Sequence, residues 1–365
     1  MLNKDLVIIG GGPAGLCAAK TAAEAGLSSI IIERSPKLGG QLVKQTHMFF
    51  GSEKQYAKTR GYNIAKILID DVNRYHDKIE ILTDTTVVGL YKDKVITILH
   101  QDEYRKIQAK AIIVATGASE KVLAFENNDL PGIYGAGAVQ TLMNVYGVLP
   151  GHDVVMVGSG NIGLIVSYQL LQAGVNVKAV IEAAPTIGGY KVHASKLKRL
   201  GVPIYTQHTI TKAFGKDCVE KILVTKLDQN WNPIEGSSFE MDVDGVCISV
   251  GLTPMGNLLA MIDAQMKYIS ELGGMVPIIN HEHETSIENI FVCGDISGIE
   301  EASSAIVEGY YTGLVVANRL GYHHPNYMLL KEDYESQLNN LRSGPFGEKI
   351  RLGLAKMAEE LNHVK

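Results

Sequence analysis

Glu33 and Glu182 each close an apolar run about twenty residues beyond a Gly-x-Gly-x-x-Gly turn. A carboxylate so placed can accept the hydroxyls of a ribose, and a glycine turn that opens a helix can accept a diphosphate. The first turn holds Gly10, Gly12 and Gly15, and the second holds Gly158, Gly160 and Gly163. In each, the first glycine permits a tight bend, the second lets a diphosphate approach the backbone, and the third lets helix and strand pack closely. Pro13 suits a first helical turn, where its missing N–H costs nothing. Pro13 and Ala14 in one motif, and Asn161 and Ile162 in the other, open helices whose positive dipole ends face the same way. One such motif is a weak signal. Two of them, each between strand and helix, point to binding of two dinucleotides.

The elements that must position these residues repeat. Residues 5–40 read DLVIIGGGPAGLCAAKTAAEAGLSSIIIERSPKLGG, and residues 153–189 read DVVMVGSGNIGLIVSYQLLQAGVNVKAVIEAAPTIGG. Both give an Asp, an apolar strand, the glycine turn, a helix ending in Ala-Gly, a second strand, a Glu, and then x-x-Pro-x-x-Gly-Gly. The second copy carries one extra residue before its second strand. The unbroken apolar runs predict parallel strands buried on both faces. The fold class is α/β, with two Rossmann-like dinucleotide-binding domains.

Two further strands, AIIVATG (111–117) and ENIFVCGD (288–295), end in features that suit the far side of a dinucleotide. Asp295 directly follows an apolar strand, where a carboxylate is costly without a partner. A ribityl hydroxyl of a flavin would supply one. The helix expected around Ser303 would aim its N-terminus at the flavin ring and favour negative charge there. Together GGGPAG (10–15), Glu33 with Arg34, GGQL (39–42, including Gly40 and Gln41), Ala115-Thr116-Gly117 and TSIENIFVCGD (285–295) resemble the FAD signature of two-dinucleotide flavoproteins, in particular the thioredoxin-reductase-like group. The resemblance implies FAD on the first unit, including Gly294, Asp295 and Ser303, and a nicotinamide dinucleotide on the second. It implies a discontinuous FAD domain, 1–120 plus 252–330, with the NAD domain 121–251 inserted and a helical tail over 331–365. By the same match Val87 is the adenine-contacting position, although a valine in a strand is equally a core residue. GLTP (251–254) resembles the return crossover from the nicotinamide domain, which brings in Gly251.

NAD(H) is preferred to NADP(H) at Glu182. A 2′-phosphate about 4 Å from a carboxylate costs about 4 kcal/mol per unit charge at an effective dielectric near 20. A ribose hydroxyl instead forms a charge-assisted bond of about 1.5–3 kcal/mol. Ala183, Ala184 and Pro185 supply no arginine to reverse that preference.

Thioredoxin reductases carry a redox cysteine pair before the second glycine motif, whereas here PGIYGAGAVQTLMNVYG (131–147) places Gly135 and Ala138 there. The GGQLVKQTH stretch (39–47), where glutathione-reductase-like enzymes have their pair, also lacks cysteine. Disulfide reduction is thereby excluded within this chain. The 131–147 run, EAAPTIGGYKVHASKLKRLGVPI (182–204) and CGDISGIEEASSAIVEG (293–309) resemble sarcosine oxidase alpha and the flavoprotein subunits of opine, hydroxyproline and proline dehydrogenases and of hydrogen cyanide synthase. That resemblance implies an amine or amino-acid dehydrogenase component in a homo- or hetero-oligomer, with a second flavoprotein subunit, small-molecule substrate or protein electron acceptor as partner. The cysteine-rich extension common in those relatives is not found after residue 330.

Hydride transfer to a flavin needs mainly geometry, so no nucleophile is expected. The weak catalytic candidates are Lys44 and His47, which could place a cation near the flavin; as solvent-facing loop residues they would do nothing. His281-Glu282-His283 lacks metal-site spacing and reads as an exposed polar loop, so no metal is assigned. His193 and His208 read as surface residues. Ile350, Leu352, Leu354, Met357 and Leu361 make a loose helical stripe that packs on the body or a partner. Tyr322, Tyr327 and Tyr334 are packed rings or a flavin cover.

The net charge of -5 gives no electrostatic reason for nucleic acid or anionic membrane as partner. The four scattered cysteines fit buried core positions in a reducing compartment. The N-terminus enters a strand without a signal peptide, and no apolar run reaches the ~18 residues of a membrane span. A cytoplasmic location is expected. Two other functions compete: a cysteine-free ferredoxin or flavodoxin reductase, and a non-catalytic flavin scaffold or redox sensor.

Overall fold

The computed structural model describes residues 2–363 apart from 50 and 346. It forms two compact units, one made of the residues up to Ser119 together with those from Thr253 on, the other of Glu120–Leu252. The first unit starts with β1 (Leu2–Ile9), α1 (Pro13–Glu24), β2 (Ser29–Ile32), α2 (Gly61–Asn73), β3 (Ile79–Leu82), β4 (Thr85–Leu90), β5 (Val95–His100) and β6 (Glu103–Val114). After β7 (Ala118–Glu120) the second unit runs β8 (Ile133–Gly135), α3 (Ala136–Tyr146), β9 (Asp153–Val157), α4 (Asn161–Gln172), β10 (Asn176–Glu182), α5 (Lys191–Arg199), β11 (Ile204–Thr206), β12 (His208–Phe214), β13 (Lys221–Lys226), β14 (Phe239–Asp242) and β15 (Gly245–Ile248). The chain then returns through β16 (Leu252–Pro254), α6 (Asn257–Ala260), β17 (Met266–Ile269), β18 (Gly274–Pro277), β19 (Ile290–Val292), α7 (Ala302–Arg319), α8 (Tyr327–Leu341) and α9 (Glu348–His363).

In the first unit β3, β2, β1, β6 and β19 lie parallel, and β4 and β5 extend the sheet as an antiparallel meander from β6. The apolar run at 6–9 is buried on both faces. Leu6 and Ile8 pack with Leu16 of α1 and Ile306 of α7, while Val7 and Ile9 pack with Leu90, Ile96 and Leu259. β6 starts eight residues before the apolar run at 111. Its polar first half pairs with β5 across a turn at Gln101 and Asp102, both left-handed, and only its second half is sandwiched.

The second unit holds the parallel sheet β11-β10-β9-β15-β8. Val139, Leu164 and Leu197, one from each of α3, α4 and α5, cover one face. The antiparallel sheet β12-β13-β14 covers the other through Ile210, Ile222 and Val224. The extra residue of the second repeat lies inside its second strand rather than before it. Val177 pairs with Val154 and Ala179 with Val155, so Lys178 is left as a bulge and the strand keeps its inward set.

The tail packs on its own unit. Ile350, Leu354, Met357 and Leu361 meet Ile269, Leu272, Val276 and Ile278, whereas Leu352 is exposed. Tyr322 and Tyr334 pack against the core beside α1, Tyr334 stacked on Tyr310 at 5.7 Å; Tyr327 opens α8.

Two glycines let α7 lie against α1. A Cβ on Gly309 would stand 2.2 Å from the Ala14 carbonyl oxygen, and one on Gly313 the same distance from that of Ala18. Gly309→Ala should therefore cost about 1–3 kcal/mol, as overpacked cores do. Urea unfolding would show a lower midpoint at unchanged slope; a midpoint equal to that of the parent protein would contradict this contact.

Candidate dinucleotide sites

The first glycine turn is shaped by contacts that exclude side chains. Gly10 has φ of 112°, and a Cβ there would come 2.3 Å from the Ala115 carbonyl oxygen; one on Gly15 would come 1.9 Å from that of Gly10. Gly12 differs. Its backbone is extended, it caps α1, and a Cβ there would find nothing nearer than the Gly40 Cα at 3.9 Å. The protein leaves that space open.

Glu33 is buried and held by main-chain donors: Gly11 N–H to Oε2 and Ser35 N–H to Oε1, both 2.8 Å. Each carboxylate oxygen can accept more than one bond, so capacity for ribose hydroxyls remains. Around it, Gly39 N–H donates to the Gly11 carbonyl at 2.8 Å, which lays the Gly40 backbone against Gly12. Arg34, Gly40 and Gln41 are exposed at this edge.

The same hydrogen bonds recur in the second unit. Gly158 N–H donates to the Ile181 carbonyl at 2.7 Å, as Gly10 N–H does to that of Ile32 at 2.8 Å. Glu182 takes Ser159 N–H on Oε2 and Ala184 N–H on Oε1, both 2.8 Å. Cβ atoms on Gly158 and Gly163 would strike the Ser249 and Gly158 carbonyl oxygens at 2.1 and 2.2 Å, while Gly160 faces open space. One residue breaks the symmetry. Ser159 replaces Gly11, and its hydroxyl donates to Glu182 at 2.6 Å and accepts Gly188 N–H at 3.1 Å. The Gly-Gly bond accordingly moves one residue on, from Gly39 to Gly189, whose N–H reaches the Ser159 carbonyl at 2.8 Å. Asn161 opens α4 and its Oδ1 accepts Tyr190 N–H at 2.9 Å; Ile162 is 39% exposed, and Gly251 accepts Lys121 N–H at 3.0 Å.

In the first unit three strand ends meet. Ala115 N–H bonds the Ile9 carbonyl at 2.8 Å, Thr116 donates to the Met255 carbonyl at 2.9 Å, and Gly117 is left-handed. Gly294 is also left-handed and sits so close to α1 that a Cβ would lie 2.9 Å from that of Ala14. Its N–H donates to Glu308 Oε2 at 2.8 Å, a partner on α7 that no sequence motif announces. Ser303 is buried in the first turn of α7, and Val87 is half-buried among core residues on β4. Pro13 and Ala14 form the first turn of α1. Lys44 ends the short 3-10 turn Gly40–Lys44, and His47 stacks on Phe49 at 5.8 Å. The first glycine turn, Glu33, Ala115, Gly294 and Asp295 thus gather at the carboxyl ends of β1, β2, β6 and β19.

Three histidine expectations need correction. His283 is not on an exposed loop: its ring bonds Thr312 at 2.8 Å, packs on Tyr311, and burial pulls it down to about 3. Glu282 and Glu284 beside it pair with Arg319. His193 is buried on α5, with its value lowered by burial and by Lys196, and His208 is half-buried against Tyr205 and Phe239. All three pack against neighbouring side chains, and the elements that bring those neighbours leave no local sequence signature. Among the described residues no three His, Cys, Asp or Glu side chains gather to hold a metal. Cys17 and Cys247 are buried and pushed up to about 12, Cys293 is raised likewise, and Cys218 is exposed.

A family model for pyridine nucleotide-disulphide oxidoreductases matches residues 4–309. The chain belongs to that family. Its membership makes it an FAD-dependent oxidoreductase, and the first-unit residues fit that cofactor: open space at Gly12, free helix N–H groups and a fixed carboxylate. The chain is 27% identical to the alpha subunit of sarcosine oxidase from Corynebacterium sp. (strain U-96), over 88% of this chain and 33% of that one. It is 25% identical to one subunit of opine oxidase from Rhizobium meliloti, over 87% of this chain and 63% of that one. It thus spans between a third and two thirds of these curated relatives. Thioredoxin reductase of T. acidophilum shares the fold, at a TM-score of 0.71 and 21% identity over 87% of this chain and 99% of that one. No helix among the described residues is long and apolar enough to cross a membrane.

Burial pushes the Asp295 carboxyl up from 3.8 to about 7; a main-chain bond from Glu300 opposes this, and the charges of Glu308, Glu300 and Glu301 add to it. Between those two values the folded state binds the proton more tightly than the unfolded state, so this group's contribution to stability falls as pH rises from about 4 to about 7. Thermal unfolding of the FAD-free protein across that window should decline with pH more steeply than that of Asp295→Asn. Parallel curves would contradict the shift.

Proposed function

We propose that the chain is an NAD(H)-linked FAD oxidoreductase that acts as, or resembles, the flavoprotein subunit of an amine or amino-acid dehydrogenase. FAD is assigned to the first unit and NAD(H) to the second. The observation that carries this reading is the bond-for-bond repeat of the Glu33 and Glu182 sites. Bound FAD would supply two-electron chemistry as the partner of a nicotinamide.

The rest falls to the chain's own groups. The N–H groups at the start of α1 would receive the FAD diphosphate and those of α4 the NAD diphosphate. Glu33 and Glu182 would accept adenosine ribose hydroxyls, each already oriented by two main-chain donors. Asp295, in its buried turn, would meet a ribityl hydroxyl, and the N-terminus of α7 would favour negative charge on the ring. Ser159 adds a third donor to Glu182, which aims the carboxylate; its negative charge then disfavours a 2′-phosphate. The thiols of Cys17, Cys247 and Cys293, buried and raised by that burial, offer no disulfide step. The two curated relatives are named as subunits of a sarcosine oxidase and an opine oxidase, which supports an amine or amino-acid substrate and a partner subunit.

The test is rapid mixing of the FAD-loaded protein with NADH or NADPH while the flavin band at about 450 nm is followed. NADH should bleach it, with a preference over NADPH of roughly several hundred-fold or more, and Glu182→Ser should cut that preference at least tenfold. No bleaching by NADH within minutes would overturn the proposal.

A further inference from the structure

We propose that Arg342, at the end of α8, is a positioning residue of the flavin pocket: by bridging Glu300 and Glu308 it fixes the turn that carries Gly294 and Asp295. This rests on the assignment of FAD to the first unit. The Arg342 guanidinium donates from Nε to both Glu300 oxygens, at 3.0 and 3.1 Å, and from Nη2 to Glu300 Oε1 at 2.7 Å and to Glu308 Oε1. The three side chains are 14%, 10% and 7% exposed, so water screens them little. The other Glu308 oxygen accepts Gly294 N–H at 2.8 Å and the Ser297 hydroxyl at 3.3 Å. A continuous chain of charge-assisted bonds therefore runs from the tail helix to the left-handed Gly294.

Glu308 can hold the Gly294 N–H as a charged acceptor only while its own burial is compensated. The fork of an arginine satisfies two carboxylates at once, which an ammonium cannot match. Without the guanidinium, two carboxylates beside Asp295 are left buried and unpaired, which strongly disfavours that arrangement. Glu308 then turns towards water, and the Gly294 N–H loses its charged acceptor. The two carboxylates, no longer offset by the guanidinium, also set a negative field against electrons arriving on a flavin nearby. Residues 327–342 thereby gain a role in the site besides packing on α7.

The test uses the full-length protein and its Arg342→Met and Arg342→Lys variants. Three quantities are measured: FAD affinity by fluorescence titration, the two-electron midpoint potential of the bound flavin, and thermal unfolding of the FAD-free protein. Arg342→Met should weaken FAD binding about tenfold or more. It should also lower the potential by about 30 mV, the equivalent of a tenfold weaker hold on reduced relative to oxidised flavin. Arg342→Lys should recover part of both. Unchanged affinity and potential in Arg342→Met, whether or not its unfolding temperature drops, would overturn the proposal and leave the flavin assignment intact. If Arg342→Met does not fold, Arg342→Lys decides alone: FAD binding weakened at least threefold supports the role and parental binding overturns it. Parental protein that binds no FAD overturns the underlying assignment and this inference with it.

Discussion

Everything in both units hangs on one close approach: the carbonyl oxygen of the first motif glycine meets the third motif glycine with no room for a Cβ, at 1.9 Å in one unit and 2.2 Å in the other. That contact brings the helix down onto the strand it follows. It also aims the helix N–H groups past the second glycine, Gly12 or Gly160, where the protein itself leaves space. The carboxylates of Glu33 and Glu182 complete the arrangement, because each takes the N–H of the residue between the first two glycines. Turn and acid are a single hydrogen-bonded object, and the strand–helix–strand unit exists to hold it.

The first unit builds further on that object. The ends of β6 and β19 converge on the same glycine turn, and α7 crosses α1 on Gly309 and Gly313 so closely that its first turn reaches Gly294. Asp295 is half-buried there, and the loss of water moves its proton affinity towards neutrality. A carboxylate held there among Glu300, Glu301 and Glu308 makes the turn sensitive to the charge that surrounds it. The second unit has no equivalent of Asp295. It spends its extra hydroxyl, Ser159, on fixing Glu182 instead. The two units repeat one strand–turn–helix–strand backbone and differ in what is built around it.

Much of this was legible in the residues because it depends on local backbone geometry. Glycine positions, the strand-ending acids, the double-sided apolar strands and the start of α7 within one residue of Ser303 all follow from short-range patterns. What was not legible depends on residues far apart in sequence. The bulge at Lys178 shows only when β9 and β10 are paired, and the first half of β6 is polar because a hairpin rather than the core supports it. His193 and His283 read as surface residues because the packing of α5 on α4, and of His283 against α7, has no signature in the neighbouring sequence. Glu308 and Arg342 stand 34 residues apart, so neither carries a motif, and their tie to Gly294 emerges only from the packed structure.

The central claim is that Gly12 is open for a ligand and for no other reason, and calorimetric titration of the Gly12→Val variant with FAD tests it most directly. Its backbone is extended, so a side chain brings no strain. The account predicts one FAD bound per parental chain, and a variant that unfolds at the parental temperature yet binds no FAD. A variant that binds FAD as the parental chain does, or a parental chain that binds none, would contradict it.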